Sequence, residues 1–495
     1  MNNFLYNVYP LLPEIFLTLT SCVLLFYGVI YSVSKGAPLL TKSCSLLTFQ
    51  GSVLSLILLF SQELFYGLIW NEFLVVDFFT YEIKAFVIFS FSLWLLISTS
   101  YASYEKVNSF EYWVLILLAL IAVLLIVQAY DFLIVYLCIE FQSLIFYILA
   151  SLKRTSEFST EAGLKYFVLG AFSSAVLLFG ISLVYGLTGL TNLNDFSKFF
   201  TNVFLIDNHL LVGTMLGLIL IIVALLFKLG VAPFHMWVPD VYEGSPTSVT
   251  AFFSIIPKLA VLSLICRLLV FSFYDFIDLW YGLILSCAFI SILVGSLNAF
   301  TQKKWKRFFA FSSINNAGFF LLALLQGNGE SLSNLFFYVI IYMVSMIGVF
   351  AILMSLRFFI NNNHYQSRYL SDLSGMLRLN PAISIAFLFI LFSMAGIPPL
   401  AGFFSKIFIL LPVLQNGAFG VSIAIIILSC ISCFYYIRLI KMMYFDEPNA
   451  WTYLYPMDKP NSVILGLVIL FIVFLSYDIE VVFLVSKLCS LAFSN

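Results

Sequence analysis

Fourteen apolar runs punctuate the chain, centred near Leu19, Leu54, Phe89, Leu118, Leu144, Leu177, Leu220, Val261, Ile290, Leu321, Val344, Ile390, Ile425 and Val468. Each approaches the roughly 20 residues that a helix needs to cross the hydrocarbon core of a bilayer. The run around Leu54 is the least cleanly bounded, because Gly51 and Ser52 interrupt it. Polar residues collect between the runs, and no Gly/Ser-rich, Pro-rich or single-sign segment divides one group of runs from another. The pattern predicts an all-α, polytopic transmembrane chain of about fourteen helices in one continuous membrane domain.

Two runs are broken. One reads FKLGVAPFHMWVPD, with Gly230 and Pro233 after Lys228; the other reads MAGIPPLAGFFSK, with Gly396, Pro398, Pro399 and Gly402 before Lys406. Proline removes a backbone donor and clashes with the preceding turn. Within a bilayer, backbone groups freed in this way survive only where protein or a wet cavity satisfies them. The breaks fall five helices apart, so a repeat built on them starts its second copy from the opposite side of the membrane. The lysine precedes the break in one copy and follows it in the other. Inverted repeats with matching broken helices hold the ion sites of many transporters near the midplane.

Charge in the loops predicts orientation, since Lys and Arg concentrate on the inner side. Alternate loops carry Lys35 and Lys42, Lys106, Lys153 and Arg154, then Lys303, Lys304, Lys306 and Arg307, then Arg357, Arg368 and Arg378, then Lys441 and Lys459. The intervening loops hold Glu63, Glu72 and Asp77, then Asp195 and Asp207, then Asp275 and Asp278. One inner loop breaks the rule, with Asp240 and Glu243 and no base. Otherwise the alternation predicts an even number of helices with both termini outside. Composition agrees: the chain is 63% hydrophobic and 9% charged, with mean hydropathy +1.09, against about 25% charged residues in a soluble domain. A net charge of -1 gives no global field to attract nucleic acid.

A charge at the centre of a membrane helix costs on the order of 3 kcal/mol or more, so each one needs a reason. Glu140 lies in IVYLCIEFQSLIFYIL, Lys165 in EAGLKYFVLGAFSS, Lys228 in IIVALLFKLGVAP, Lys258 in VTAFFSIIPKLAVLSLI and Lys406 in AGFFSKIFILL, while His235 sits just past the first break. Burial disfavours the charged form of a lysine and a nearby carboxylate restores it. A lysine whose carboxylate moves away therefore releases its proton. Glu140 with Lys228, or Glu140 with Lys165, would form such a switch, and Lys258 would pass protons onward. The structural alternative is an ion pair plus lysines that snorkel towards helix ends. That alternative suits Lys165, about a turn from Glu161, better than Lys258, which lies in mid-run after Pro257. For the constellation as a whole, a proton relay is the favoured reading.

Other features read more plainly. Cys430 and Cys433 form a C-x-x-C in the middle of an apolar helix, and the other six cysteines stand singly, which suits packing rather than a disulfide framework or a zinc site. The aromatic run FFYVIIYM (336–343) reads as a lipid-facing or packing surface, and KKWKR (303–307) as an interfacial anchor or a contact for a partner subunit. His209 and His364 fall in loops. The N-terminus lacks the positive flank of a signal peptide and the Arg-rich amphipathic pattern of a transit peptide. Abundant Phe and Tyr, 56 and 27 residues, suit an AT-rich genome and synthesis inside an organelle. No G-x-G-x-x-G follows a strand, and there is no P-loop and no cysteine or histidine cluster for a metal or haem. Redox or ATP chemistry, and with it the driving energy, is expected elsewhere.

FKLGVAPFHMWVPDVYEGSPT (227–247), STEAGLKY (159–166), MAGIPPLAGFFSK (394–406) and FYYIRLIKMMYFD (434–446) resemble the antiporter-like subunits in the membrane arm of respiratory NADH–ubiquinone oxidoreductase, complex I. Lysine at 406, where one sister subunit has glutamate, makes the chain most similar to the chain 2 branch, and above all to its organellar versions in plants and algae. The resemblance implies fourteen helices with two inverted five-helix repeats, each containing a broken helix. The segments would be three N-terminal helices over 1–105, a first repeat over 110–272, a second over 277–445 and a C-terminal helix over 460–495. It implies a proton channel in which Glu140 and Lys228 are the acid–lysine pair, Lys258 the central residue and Lys406 the outlet. NADH, FMN, iron–sulfur clusters and ubiquinone would belong to other subunits, leaving no cofactor in this chain. The partners would be neighbouring membrane-arm subunits, antiporter-like and small, together with lipids and no nucleic acid. The expected location is the mitochondrial inner membrane, with a bacterial plasma membrane or thylakoid second. Sister subunits carry histidine in the helix that here offers Tyr338 and Tyr342, so water would have to bridge that stretch. A stand-alone cation/proton antiporter and a purely structural membrane scaffold are the rival functions.

Overall fold

The structure, a computed structural model, describes residues 7–32, 40–63, 65–105, 109–200, 208–360, 363–415, 417–447, 453–454 and 456–491. Lys35, Lys106, Asp207 and the side chains of His209 and His364 lie outside the described residues. The apolar runs fold as α1 (Leu12–Ser32), α2 (Leu40–Phe60), α3 (Phe78–Tyr104), α4 (Glu111–Gln128), α5 (Phe132–Ala150) and α6 (Glu157–Thr188). After a short α7 (Leu193–Phe200) come α8 (Asn208–Leu229), the half-helix α9 (Trp237–Gly244), α10 (Thr247–Cys266), α11 (Ile277–Thr301), α12 (Trp305–Leu324) and α13 (Gly329–Ser355). The chain ends with α14 (Pro381–Ala395), α15 (Ala401–Gln415), α16 (Phe419–Tyr444), α17 (Lys459–Tyr477) and α18 (Glu480–Leu491).

Among the described residues 13 helices are long and apolar enough to cross a membrane. Two shorter apolar helices, α14 and α15, form one further crossing in two pieces. Each of the fourteen expected runs therefore has its helix, and His209 belongs to the first turn of α8 rather than to a loop. The expected C-terminal helix is two helices. Asp478 adopts an extended conformation that ends α17, and its side chain accepts from the Glu480 N–H at 3.1 Å as α18 begins. Five short strands cap the helices: β1 (Gly67–Ile69) pairs with β2 (Leu74–Val76), and β3 (Arg357–Ile360) lies between β4 (Asn363–Gln366) and β5 (Tyr453–Leu454). His364 lies in β4.

Helix starts follow their local chemistry. Asp77 caps α3, accepting from the Thr80 N–H at 2.7 Å while the Thr80 hydroxyl accepts from the Asp77 N–H at 3.0 Å. Asp131 caps α5 through the Leu133 N–H at 2.8 Å. Every residue of α10 is buried, as are nearly all of α12 and α13. These three helices are the core, packed against each other and ringed by α3, α4, α8 and α15. The aromatic run 336–343 is therefore interior packing in α13 rather than a lipid-facing surface. Tight crossings depend on small residues: a Cβ on Gly180 in α6 would lie 2.9 Å from the Gly217 carbonyl of α8.

One ion pair ties α1 to α3 and a second ties α3 to the core. Glu14 of α1 pairs with Lys84 of α3, both almost wholly buried. Arg267, in the wide π turn that continues α10, meets Asp77 at 3.0 Å. Removing one partner of a buried pair strands a charge and costs about 3–5 kcal/mol, whereas an apolar pair of similar volume is often neutral. Lys84→Ala should therefore abolish or strongly reduce assembly on native gels, and Lys84→Met combined with Glu14→Leu should recover most of it. Equal loss in the single and double variants would show that the pair does not hold α1 in place.

Candidate functional site

The two broken crossings end their first helices by the same device. Gly230 adopts φ +74°, its N–H donates to the Phe227 carbonyl at 3.0 Å, and the Val231 N–H reaches the Leu226 carbonyl at 3.1 Å. Gly396 adopts φ +81°, its N–H donates to the Phe392 carbonyl at 3.1 Å, and the Ile397 N–H reaches the same carbonyl at 3.2 Å. Glycine tolerates the left-handed turn that closes a helix in this way. The freed carbonyls then differ in what satisfies them. Phe227 accepts from the Trp237 indole at 2.9 Å. Met394 and Ala395 accept from the Lys406 ammonium itself, at 3.2 and 2.8 Å. The C-terminal end of a helix carries partial negative charge, so α14 serves Lys406 as a counter-charge. Gly402 makes the approach possible, since a Cβ there would lie 1.7 Å from the Ser393 carbonyl.

Lys228 stands at the end of α8, beside a small cleft lined by Gln142, Ser143, Tyr166, Trp237, Pro257 and neighbouring apolar residues. Its Nζ is buried and has no hydrogen-bond partner among the described residues. Glu140 of α5 acts on it through space, but no ion pair within 4.0 Å joins them among the described residues. The Glu140 carboxylate keeps one oxygen buried and unpartnered, and the other lies 3.4 Å from the Ser143 hydroxyl. His235 is buried in the break, its Nδ1 3.3 Å from the Pro233 carbonyl. Lys165 lies elsewhere. Its side chain is 44% exposed and pairs with Glu161 at 2.8 Å and Asp240 at 2.9 Å, so neither Glu140 nor the cleft is its neighbour.

Lys258 occupies the centre of α10. Its ammonium donates to the Ser313 carbonyl at 3.3 Å and to the Tyr342 hydroxyl oxygen at 3.4 Å, with no carboxylate partner among the described residues. Beyond Tyr342 lies a second small cavity, lined by Asn316, Tyr338, Tyr342, Ser345, Ser405 and Lys406 among others. The Tyr338 hydroxyl donates to Asn316 at 2.9 Å. Thus the structure places Lys228 and Lys406 on separate cavities, with Lys258 between them. Sequence reasoning missed the asparagines of α12 and the contact between Lys258 and Tyr342. Asn315 and Asn316 interrupt an apolar run, and that was the signal available.

The inner loop without a base finds its bases in three dimensions. Asp240 accepts from Arg307 at 3.0 Å as well as from Lys165, and Glu243 pairs with both Lys304 and Arg307. Lys306 donates to the Ser245 carbonyl at 2.6 Å. Residues of the basic run 303–307 therefore join the first broken crossing to the start of α12. Among the described residues, no group of three or more His, Cys, Asp or Glu could hold a metal ion. Cys430 is exposed, Cys433 is half-buried and both are free thiols.

Comparison with known proteins gives a consistent set. The family described as NADH:quinone oxidoreductase/Mrp antiporter, transmembrane, matches residues 129–432. NADH-ubiquinone oxidoreductase chain 2 of Marchantia polymorpha is 42% identical over 476 residues, covering 95% of this chain and 96% of that protein. NADH-quinone oxidoreductase subunit N of Paramagnetospirillum magneticum is 35% identical over 465 residues, covering 93% of this chain and 92% of its own length. A chain of respiratory complex I from Thermus thermophilus, solved with bound aureothin, superposes with TM-score 0.79 at 27% identity, over 95% of this chain and 98% of that one.

Arg307 bridges Asp240 and Glu243, both on α9, whereas Lys165 makes one pair to α9 and the other within its own helix, to Glu161. Arg307→Ala is expected to lower the melting temperature of the detergent-solubilised assembly by a few °C, on the order of 1 kcal/mol or more, and Lys165→Ala by clearly less. Equal losses would mean that the cluster does not fasten α9 to α12.

Proposed function

Because the chain belongs to the NADH:quinone oxidoreductase/Mrp antiporter family, we propose that protons cross the membrane through it along Glu140, Lys228, Lys258 and Lys406. It is a multi-pass membrane subunit of a proton-translocating NADH:ubiquinone oxidoreductase, in the mitochondrial inner membrane. The observation that carries the path is the placement of three lysines inside the spanning region without direct carboxylate contacts, two of them on cavities and the third between. A buried lysine that keeps its proton needs a compensating charge. Lys228 has the Glu140 carboxylate at a distance, and Lys406 has the carbonyl end of α14. Each is a compensation that a shift of one helix end can strengthen or weaken.

In this reading Glu140 sets whether Lys228 holds its proton, Lys258 receives it, and Lys406 passes it out. His235, in the first break, would take part beside Lys228, and Lys165 gathers protons at the inner rim. The segments 110–272 and 277–445 would be inverted five-helix repeats, a relation supported by their matching glycine-terminated breaks. The chain carries no cofactor of its own; NADH, FMN, iron–sulfur clusters and ubiquinone belong to other subunits of the complex. Its partners are the neighbouring membrane-arm subunits, antiporter-like and small, with lipid against the remaining apolar surface. Exposed Leu133, Leu137, Phe141 and Leu144 on α5, flanking Glu140, offer such a contact face.

A positioned acid–base group commonly contributes about 10²–10⁴-fold to proton transfer, so its loss should make transfer slower than turnover. In inverted membrane vesicles, Lys228→Ala and Lys406→Ala should assemble on native gels and oxidise NADH while translocating fewer protons per electron. A wild-type ratio in both assembled variants would assign these lysines a structural role and leave the chain a scaffold.

A further inference from the structure

Tyr342 of α13 touches Lys258 and also lines the cavity that holds Lys406. Lys258 is not among the residues lining that cavity. The Lys258 Nζ lies 3.4 Å from the Tyr342 oxygen and 5.5 Å from the ring centroid, on the other side of the partition. The ring is wedged: Phe320 meets it edge-on at 5.3 Å and 82°, and Phe320 also packs against Tyr338 at 5.4 Å. The side chain is 4% exposed. Its hydroxyl donates to the Ser254 carbonyl at 3.2 Å. An amide carbonyl accepts a hydrogen bond but passes no proton onward.

We propose that Tyr342 is the gate of the proton path, its ring closing the passage from Lys258 to the Lys406 cavity and its hydroxyl handing the proton across. The proposal rests on the relay reading above. In the arrangement seen, the gate is shut, because the hydroxyl hydrogen points at Ser254. Rotation about the C–O bond moves that hydrogen to the cavity side and leaves the ring in place. An N–H bond of the Lys258 ammonium then breaks as an O–H bond forms at Tyr342. The original O–H bond of Tyr342 breaks in the same step, and its proton passes through cavity water to a neutral Lys406 amine. Lys258 ends neutral, Lys406 ends charged, and the tyrosine is unchanged except for which hydrogen it carries. The ammonium formed at Lys406 is received by the Met394 and Ala395 carbonyls. Return of the hydroxyl to Ser254 shuts the path before a proton can run back.

Two substitutions separate the ring from the hydroxyl. Tyr342→Phe keeps the partition and removes the proton-carrying atom; Tyr342→Ala removes both. In inverted vesicles containing the whole complex, Tyr342→Phe is expected to lower protons per electron several-fold, with the passive proton leak in the absence of NADH remaining at the wild-type level. Tyr342→Ala is expected to raise that passive leak several-fold, since water can then join Lys258 to the cavity. A residue that merely packs would make Phe neutral and would leave the leak unchanged in any variant that assembles. Lys258→Ala, measured alongside, tells the two failures apart. If Tyr342→Phe translocates at the wild-type ratio while Lys258→Ala does not, the gate is wrong and the relay stands. If both translocate at the wild-type ratio, the relay itself is wrong. Should Tyr342→Ala fail to assemble, the isosteric Phe variant still decides the matter.

Discussion

A broken helix in hydrocarbon leaves carbonyls that nothing but the protein can satisfy, and much of this architecture follows from how that debt is met. With no water in the bilayer core, each unpaired backbone group costs several kcal/mol. At the second break the partner is the Lys406 ammonium, which donates to Met394 and Ala395. The same contact solves a second difficulty, since a lysine inside a membrane needs negative charge beside it and the end of α14 provides it. One hydrogen-bonded cluster therefore stabilises both the interrupted backbone and the buried cation. At the first break the carbonyl accepts from Trp237, and Lys228 has no hydrogen-bond partner among the described residues. The two crossings share a backbone device and differ in what their lysine does.

That difference gives the path a direction of chemical character. In the proposed path Lys228 answers to the Glu140 carboxylate on another helix. Lys258 answers to a carbonyl and a phenol, and Lys406 to a helix terminus. None of the three is locked into a close ion pair with a carboxylate, a contact that would hold its proton permanently. The ion pairs that do lock are elsewhere: Glu14 with Lys84, Asp77 with Arg267, and the cluster of Asp240, Glu243, Lys304 and Arg307. Paired charges tie helices together, while the lysines without close carboxylates among the described residues stand on the core helix α10 and on α8 and α15 beside it. The burial of α10, α12 and α13 makes this possible, because a wholly enclosed helix can present a charged side chain to a cavity and keep it from lipid.

Much was legible from the residues alone. The fourteen crossings were readable because helix length and hydropathy are local properties set by bilayer thickness. Both breaks were readable because Gly and Pro act on the backbone at their own positions. The lysines stood out because a charge in an apolar run is expensive wherever it points. Family membership was readable from the run 227–247 and its companions, which is a matter of residue identity and needs no coordinates.

Pairing was another matter. Sequence places Lys165 and Glu140 in helices of equal promise, yet Lys165 turns to Asp240 and the surface, because one turn of rotation decides which face meets the core. The loop holding Asp240 and Glu243 broke the charge rule on paper, and only the fold brings Arg307 and Lys304 across to it from 61 to 67 residues away. The run 336–343 reads equally well as a lipid face or as packing, since apolar residues suit both environments; the position of α13 at the centre settles it as packing. Tyr342 had no distinguishing neighbour in sequence, and its contact with Lys258 spans 84 residues. Composition and periodicity thus determined which segments cross the membrane and which residues are costly there. Tertiary packing alone decided which charges meet, because long-range contacts depend on helix rotation and crossing, quantities that no local pattern of residues encodes.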